Sequence, residues 1–459
     1  MSTDTPVVRR RFDGPKGRPL LGSLLEAWSD PLSLMLDGMA KYGPIAQYRF
    51  AYLDYIVIAE PDAAHYVLVE NNKNYTKSQN YEGLKILLGA GLLTSEGEFW
   101  RKQRRLAQPA FHREKLAAFV QTMAECTDAM LTRWQQLPTE SLARVDLHRE
   151  MMRLTFHIVG KTLLSMDLDG ASKEVGDALD VALHWTNEYV ESVVRIPPWV
   201  PTANNRRFRR AQKTLDTLVL GIVERRRADF DAKRAVPNDL LQMLLEAKDQ
   251  DTGEGMSNDQ LKHELLTLVL AGHETTANSL SFAQWLLAEH PEAAERIRRE
   301  FAEVVGGRTV TVGDLSKLTY TTQVIEEAMR IYPPAWAFER QAIADDVLAG
   351  HHVAKKTVIG IVPYVMHRNP ALYPEPDKFL PERFDKQQSA KRPKHAYIPF
   401  GGGPRMCIGN AFAMMEMQVV LPMILRAAHV HKVPDFSLEL EPSVTLRPKS
   451  GMPMRIALR

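Results

Sequence analysis

The chain has 459 residues, and its 58 lysines and arginines nearly balance 56 aspartates and glutamates; the resulting +2 excludes a nucleic-acid binder driven by bulk electrostatics. At 45% hydrophobic and 25% charged residues it has ordinary globular composition, ample for one or two cores, which excludes disorder as the default. Two cysteines, Cys126 and Cys407, exclude a disulfide scaffold or a four-thiolate metal site, and no stretch reaches the roughly 18 apolar residues of a membrane span.

Residues 1–14 are expected to be a flexible N-terminal segment, and 15–459 a single domain, because no repeat is present and the Pro/Gly breaks are scattered. The run Arg9-Arg10-x-Phe12 has only a faint likeness to a twin-arginine signal, since Asp13, Gly14 and Pro15 stand where an apolar stretch should begin. A soluble, cytoplasmic protein without a membrane anchor is the expectation.

"PIAQYRF" and "YIVIAE" have the β-branched and aromatic content of short strands, and "PDAAHYVLVENN" predicts a helix. From about Trp100 to Leu287 the helical period dominates, through "REKLAAFVQTMAECTDAMLTRWQQL", "KEVGDALDVALHWTNEYVESVV" and "RRFRRAQKTLDTLVLGIVERRRADF". The clearest element is "SNDQLKHELLTLVLAGHETTANSLSFAQWLLAEHP". Ser257 and Gln260 predict an S-x-x-Q capping box and Pro291 a stop; at ~1.5 Å per residue the helix is about 50 Å long. Helices from Pro291 and Thr321 follow, then strand-like "HHVAKKTVIGIVPY". Beyond a glycine-rich loop, "NAFAMMEMQVVLPMILRAA" predicts a buried helix and "SVTLRPKSGMPMRIAL" a final hairpin. The fold class is mainly α with small β-sheets (α+β).

The loop "FGGGPRMCIGN" carries the chemistry. No Lys-Ser/Thr pair follows its glycines, so it is not a phosphate cradle, and no C-x-x-C-H is present for covalent haem attachment. A buried structural thiol is the plain alternative. Against it, Cys407 sits at a predicted helix N-terminus, where unpaired N–H groups favour a thiolate. Gly401, Gly402, Gly403 and Gly409 allow close approach of something bulky and flat, and Arg405 brings a cation near the thiol. A thiolate ligand to an anionic macrocycle meets these demands.

The spacing Phe400-x-x-Gly403-x-Arg405-x-Cys407-x-Gly409 resembles the haem-binding signature of the cytochrome P-450 family, the haem-thiolate monooxygenases. Other segments share the resemblance. "EAMR" gives Glu327 and Arg330, and "FLPERF" gives Arg383, which together imply the family's buried structural Glu-Arg-Arg cluster. "WRKQRR" gives Trp100 and Arg104, implied partners of a haem propionate, as are Arg340 and Arg405. "AGHETT" resembles the oxygen-activation segment. The resemblance implies that Ala271 and Gly272 leave room for dioxygen, that Thr275 hydrogen-bonds the oxygen being activated, and that Glu274 helps relay protons. Thr267, Ala271 and Thr275 share one helix face, although a helical Thr more often satisfies a carbonyl one turn back.

The resemblance implies the family's triangular, mostly helical domain, with haem b between the long central helix and the cysteine helix. Cys407 is then the proximal iron ligand and a catalytic group with Thr275 and Glu274; Phe400, Gly401 and Gly409 adjoin the cofactor. Two electrons and two protons split dioxygen, and one oxygen atom enters an apolar substrate such as a fatty acid, terpene, steroid or macrolide. The pocket draws on residues 81–93, the surroundings of Trp185 and Tyr189, residues 269–275 and 335–338, and Val444 with Thr445. The short stretch after the cysteine helix leaves no room for a fused reductase, so a monomer served by a separate ferredoxin or flavodoxin with its reductase is expected. Arg101, Lys102, Arg105, Arg113, Lys115 and "KRPK" would form its basic docking face. The rivals are a peroxide-driven or non-redox haem-thiolate enzyme and a non-catalytic haem sensor. His263-Glu264 and His273-Glu274 do not complete H-E-x-x-H; His351, His352, His367 and His395 are read as surface or structural, with contact to a haem propionate the alternative for His395, which lies just before the signature.

Overall fold

The computed structural model describes residues 11–137, 143–166, 172–192 and 195–459, in two compact units. The first comprises the chain up to Gln79, Arg330–Phe379 and Arg383–Cys407; the second comprises Asn80–Met329, Leu380–Glu382 and Ile408–Arg459. Arg9, Arg10 and most of the expected N-terminal segment lie outside the described residues. From Phe12 onward the chain is held: the Phe12 ring stacks on His351 at 4.2 Å, and Gln47 N–H donates to Asp13 O at 2.9 Å.

The first unit is built on a five-stranded mixed sheet in the order Ile45–Phe50, Leu53–Ile58, Val358–Ile361, Phe338–Ala342 and Tyr75–Thr76. The two predicted N-terminal strands pair antiparallel from Ile45 opposite Ile58 to Phe50 opposite Leu53. Val358–Ile361 lies in the middle, parallel to one neighbour and antiparallel to the other. Its uninterrupted apolar run is buried on both faces, as a central strand requires. The helix predicted after these strands starts as Pro61–His65 but widens into a π-turn, Tyr66–Glu70. The wider turn puts Tyr66 and Asn71 on one side, where the Tyr66 hydroxyl and the Asn71 amide both donate to Asp346 at 2.9 Å.

The second unit is helical. Its long elements are Gly97–Ala107, Phe119–Trp134, Leu147–Leu164, Ser172–Glu191, Ala203–Asp231, Asn258–Glu289, Pro291–Val304 and Asn410–Ala427. Asn258–Glu289, the central helix, packs on Leu147–Leu164, Ala203–Asp231 and Asn410–Ala427, so it is buried nearly all round rather than along one stripe. Ser257 caps it by accepting Gln260 N–H at 3.2 Å. Only half of the predicted capping box forms, because the Gln260 amide is engaged by Glu264 and Ala90.

The final hairpin is not formed. Leu446–Pro448 pairs with Leu440–Pro442, and Gly451, at φ +72°, redirects the chain so that Pro453–Leu458 becomes the middle strand between Ala143–Asp146 and Ala428–Lys432. Both edges of that last strand are thereby satisfied. Helices far outnumber strands, as the periodicity predicts. Among the described residues no helix is long and apolar enough to cross a membrane.

Candidate functional site

In the first unit Cys407 is exposed at the end of a self-braced loop, whereas Cys126 is buried. Cys407 N–H donates to Phe400 O at 2.9 Å, and Gly401 N–H to Ile398 O at 3.0 Å. Gly401 and Gly403 have left-handed φ of +71° and +65°, conformations that side chains other than glycine rarely adopt. A Cβ on Gly403 would lie 2.1 Å from Leu68 O, while one on Gly401 would meet nothing within 4 Å. The glycines therefore divide their work: Gly402 and Gly403 let the loop pack on Leu68 and His395, and Gly401 borders open space.

His367 anchors this loop from behind. It is fully buried, its Nε2 accepts Ile398 N–H at 3.1 Å, and its backbone carbonyl accepts Arg330 Nη1 at 2.9 Å. An Nε2 acceptor means a neutral ring, and burial with the nearby Arg330, Arg368 and Arg392 guanidinium groups holds its pKa well below the usual histidine range. Arg330 also donates to Lys378 O at 3.1 Å and Arg383 to Glu375 O at 2.8 Å; in the second unit Glu327 accepts Leu380 N–H at 2.9 Å. Arg330 and Arg383 thus brace backbone at Lys378 and Glu375 within the first unit, and Glu327 braces Leu380 within the second. Arg340, on strand Phe338–Ala342, is buried and donates to Glu339 O at 2.8 Å; Arg405 belongs to the short turn Gly403–Arg405. His395 Nδ1 is buried without a hydrogen-bond partner among the described residues, which suits an acceptor carried by a bound group.

In the second unit every residue of the central helix from 264 to 270 and from 276 to 287 is buried, yet Ala271 is exposed and Gly272 and Thr275 are partly exposed. A small-residue strip is left open in an otherwise enclosed helix. Thr275 Oγ1 donates to Ala271 O at 2.7 Å, the bond to the carbonyl one turn back. Glu274 lies off this strip. Its Oε1 accepts the Thr445 hydroxyl at 2.6 Å; Thr445 Oγ1 in turn accepts the Asn278 amide at 3.2 Å, and Asn278 Oδ1 lies 2.8 Å from His148 Nε2. Donors run one way along this chain, toward the carboxyl group. Thr445, read from the sequence as part of the pocket wall, is buried with its hydroxyl turned to Glu274, because a polar oxygen out of water needs a hydrogen-bond partner. Trp100, buried, and Arg104, partly buried, are four residues apart on helix Gly97–Ala107, and Gly409 caps helix Asn410–Ala427.

Part of the expected basic face is ion-paired, while Arg113, Lys115, Lys391 and Lys394 are exposed. Arg101 pairs with Glu98, Lys102 with Glu254 at 2.8 Å, and Arg105 with Asp249 at 2.6 Å and Asp251 at 3.1 Å. Within "KRPK", Arg392 stacks over Phe384 at 4.2 Å and donates to Arg383 O at 2.6 Å, so it supports the fold. Sequence reasoning missed His367 as the loop's support and the chain from Glu274 to His148, since both depend on partners distant in sequence.

In the first unit an accessible thiol, guanidinium groups for carboxylates and an orphaned imidazole nitrogen fit an anionic iron macrocycle; the second unit, by itself, leaves an open strip of small residues. The family model Cytochrome P450 matches residues 13–453. Over 444 residues the chain is 33% identical to cyclooctatin synthase of Streptomyces melanosporofaciens, covering 96% of this chain and 95% of that protein. It is also 33% identical over 426 residues to cyclooctat-9-en-7-ol 5-monooxygenase of the same organism, covering 92% of this chain and 90% of the relative. Similarity extends to human cytochrome P450 4F3, at 33% over 395 residues, 82% of this chain and 75% of that protein. The chain therefore belongs to the cytochrome P450 family: it is a haem-thiolate monooxygenase that uses dioxygen, electrons from a redox partner and an apolar substrate.

Proposed function

We propose that Cys407 supplies the axial thiolate, that Trp100, Arg104, Arg340 and Arg405 hold the haem carboxylates, and that Ala271, Gly272, Glu274 and Thr275 serve the oxygen side, with Phe400, Gly401 and Gly409 against the cofactor. The observation that carries this reading is the exposed Cys407 thiol at the end of a backbone locked by the Phe400–Cys407 hydrogen bond. When bound, the haem supplies the redox chemistry of oxygen activation. The chain's own residues orient and deliver.

Thr275 Oγ1 has its proton committed to the Ala271 carbonyl, so its lone pairs are available to accept a hydrogen bond without a change of rotamer. Glu274, held by Thr445, is the nearest carboxylate in sequence and can return protons once its Oε1 is released. The apolar side chains of Leu84, Leu88, Leu92, Leu268 and Val269, with Tyr81, Leu93 and Val444 packed against them, give the substrate side a wall without charge.

The substrate class that agrees with such a wall and with the named relatives is a cyclic terpenoid alcohol or olefin. Residues 15–459 act as one catalytic domain, a cytoplasmic monomer that takes electrons from a ferredoxin or flavodoxin. The test is turnover of a panel of cyclic terpenoid alcohols with a ferredoxin and its reductase. Products one oxygen atom heavier, with label from ¹⁸O₂, support the reading; product formation with peroxide alone and none with the electron donor would overturn it.

A further inference from the structure

The His263-Glu264 pair belongs to no metal motif, yet Glu264 is fully buried and bonded to another part of the chain. Its Oε2 accepts Leu92 N–H at 2.9 Å, and its Oε1 accepts the Gln260 amide at 2.6 Å; that same amide nitrogen lies 3.1 Å from Ala90 O. The loop 89–95 is moulded to this face of the central helix. A Cβ on Gly91 would come 2.1 Å from Thr267 Oγ1, and one on Gly89, at φ +65°, would come 2.3 Å from the His263 ring. Thr94 and Ser95 brace the loop internally, donating to Gly89 O at 2.6 Å and Gly91 O at 2.8 Å. Gln260, His263, Glu264 and Thr267 are spaced i, i+3, i+4 and i+7, one helix face. That face continues toward Ala271, about two turns or ~10 Å along the axis.

We propose that Glu264 is the positioning residue for loop 89–95, latching this stretch of the substrate-side wall to the central helix through its buried carboxyl. The latch stands on the geometry; its link to substrate rests on the reading of residues 81–93 as pocket wall.

Burial pushes the Glu264 pKa up to about 7, against the opposing pull of the Leu92 and Gln260 hydrogen bonds. With the loop lifted, water would return it to the ordinary glutamate range. The docked state therefore binds the proton more tightly, so docking is strongest in acid and weakens as pH rises toward 7, with no further loss above. The loop carries no titratable side chain. On the central helix the neighbours are His263, held low by burial and by Lys262, and Lys262, which bridges Asp216 of helix Ala203–Asp231 at 3.7 Å. Glu82 and Lys85 on helix Glu82–Leu88 are exposed, as is Lys161 on Leu147–Leu164, where His157 is buried. Burial is the largest influence on Glu264, opposed by its hydrogen bonds from Leu92 and Gln260.

The experiment is amide hydrogen exchange at Leu92 in the holoenzyme at pH 6 and pH 8, corrected for intrinsic rates, with spectral titration of 4-phenylimidazole as the pocket probe. Protection about tenfold lower at pH 8 than at pH 6 is expected for the parent chain. Glu264→Gln, neutral throughout and still able to accept Leu92 N–H, should lose that pH dependence while keeping the acid-side protection and the acid-side Kd for the probe. Glu264→Ala should lose protection at both pH values. Leu92 protection in Glu264→Ala equal to the parent's would overturn the latch; equal protection of the parent at pH 6 and pH 8, or an unchanged pH response in Glu264→Gln, would overturn its coupling to a proton. Pocket-probe Kd values that ignore the substitutions while Leu92 exchange responds would overturn only the assignment of the loop to the pocket.

Discussion

Replacing Thr445 by valine removes one hydroxyl and keeps the shape of the side chain. The hydroxyl donates to Glu274 Oε1 at 2.6 Å and accepts from Asn278 at 3.2 Å, and all three residues are buried. A hydrogen bond to a buried carboxylate contributes about 1.5–3 kcal/mol, and an amide hydrogen left without an acceptor costs about 1–3 kcal/mol. Because the two effects share one atom they do not add fully, and Thr445→Val should lose about 3 kcal/mol by urea unfolding of the holoenzyme. Thr445→Ser should restore the stability. A valine variant within about 0.5 kcal/mol of the parent would refute the reading of Glu274 as a carboxylate held by Thr445.

Other substitutions test other parts. His367→Leu leaves Ile398 N–H buried without an acceptor, costing about 1–3 kcal/mol and loosening the loop before Cys407; His367→Asn, which can accept, should retain more haem, measured by the Soret-to-protein absorbance ratio. Arg330→Ala deprives the His367 and Lys378 carbonyls of their donor, and purified protein without haem is expected; a stable, haem-loaded variant would contradict the bracing role. Gly91→Ala should drive the 89–95 loop off the central helix, because the new Cβ overlaps Thr267 Oγ1, and proteolytic nicking between Gly89 and Ser95 should speed up.

Much of the fold was legible because its signals are local. The central helix is announced by its own period and by Ser257, and it runs Asn258–Glu289 as predicted. The last strand was not legible: "SVTLRPKSGMPMRIAL" has two strand-like runs around a glycine, but both find partners elsewhere in the chain, a choice that only tertiary pairing decides. At the candidate site, Cys407, Thr275 and Arg330 stand out by motif spacing. What each does locally was hidden, since the bonds of Glu274 to Thr445, of Glu264 to Leu92 and of His367 to Ile398 all join residues distant in sequence. The counter-charges of the basic stretch from Arg101 to Arg105 were hidden for the same reason: Glu254, Asp249 and Asp251 lie in a loop distant in sequence.

The central claim is that Cys407 is the axial thiolate, and the carbon-monoxide difference spectrum of the reduced protein tests it most directly. The parent chain should show the red-shifted Soret band of a thiolate-ligated haem, and Cys407→Ser should lose that band while circular dichroism reports unchanged helix content. A thiolate-type band persisting in Cys407→Ser, or none in the well-folded, haem-loaded parent, would contradict the account.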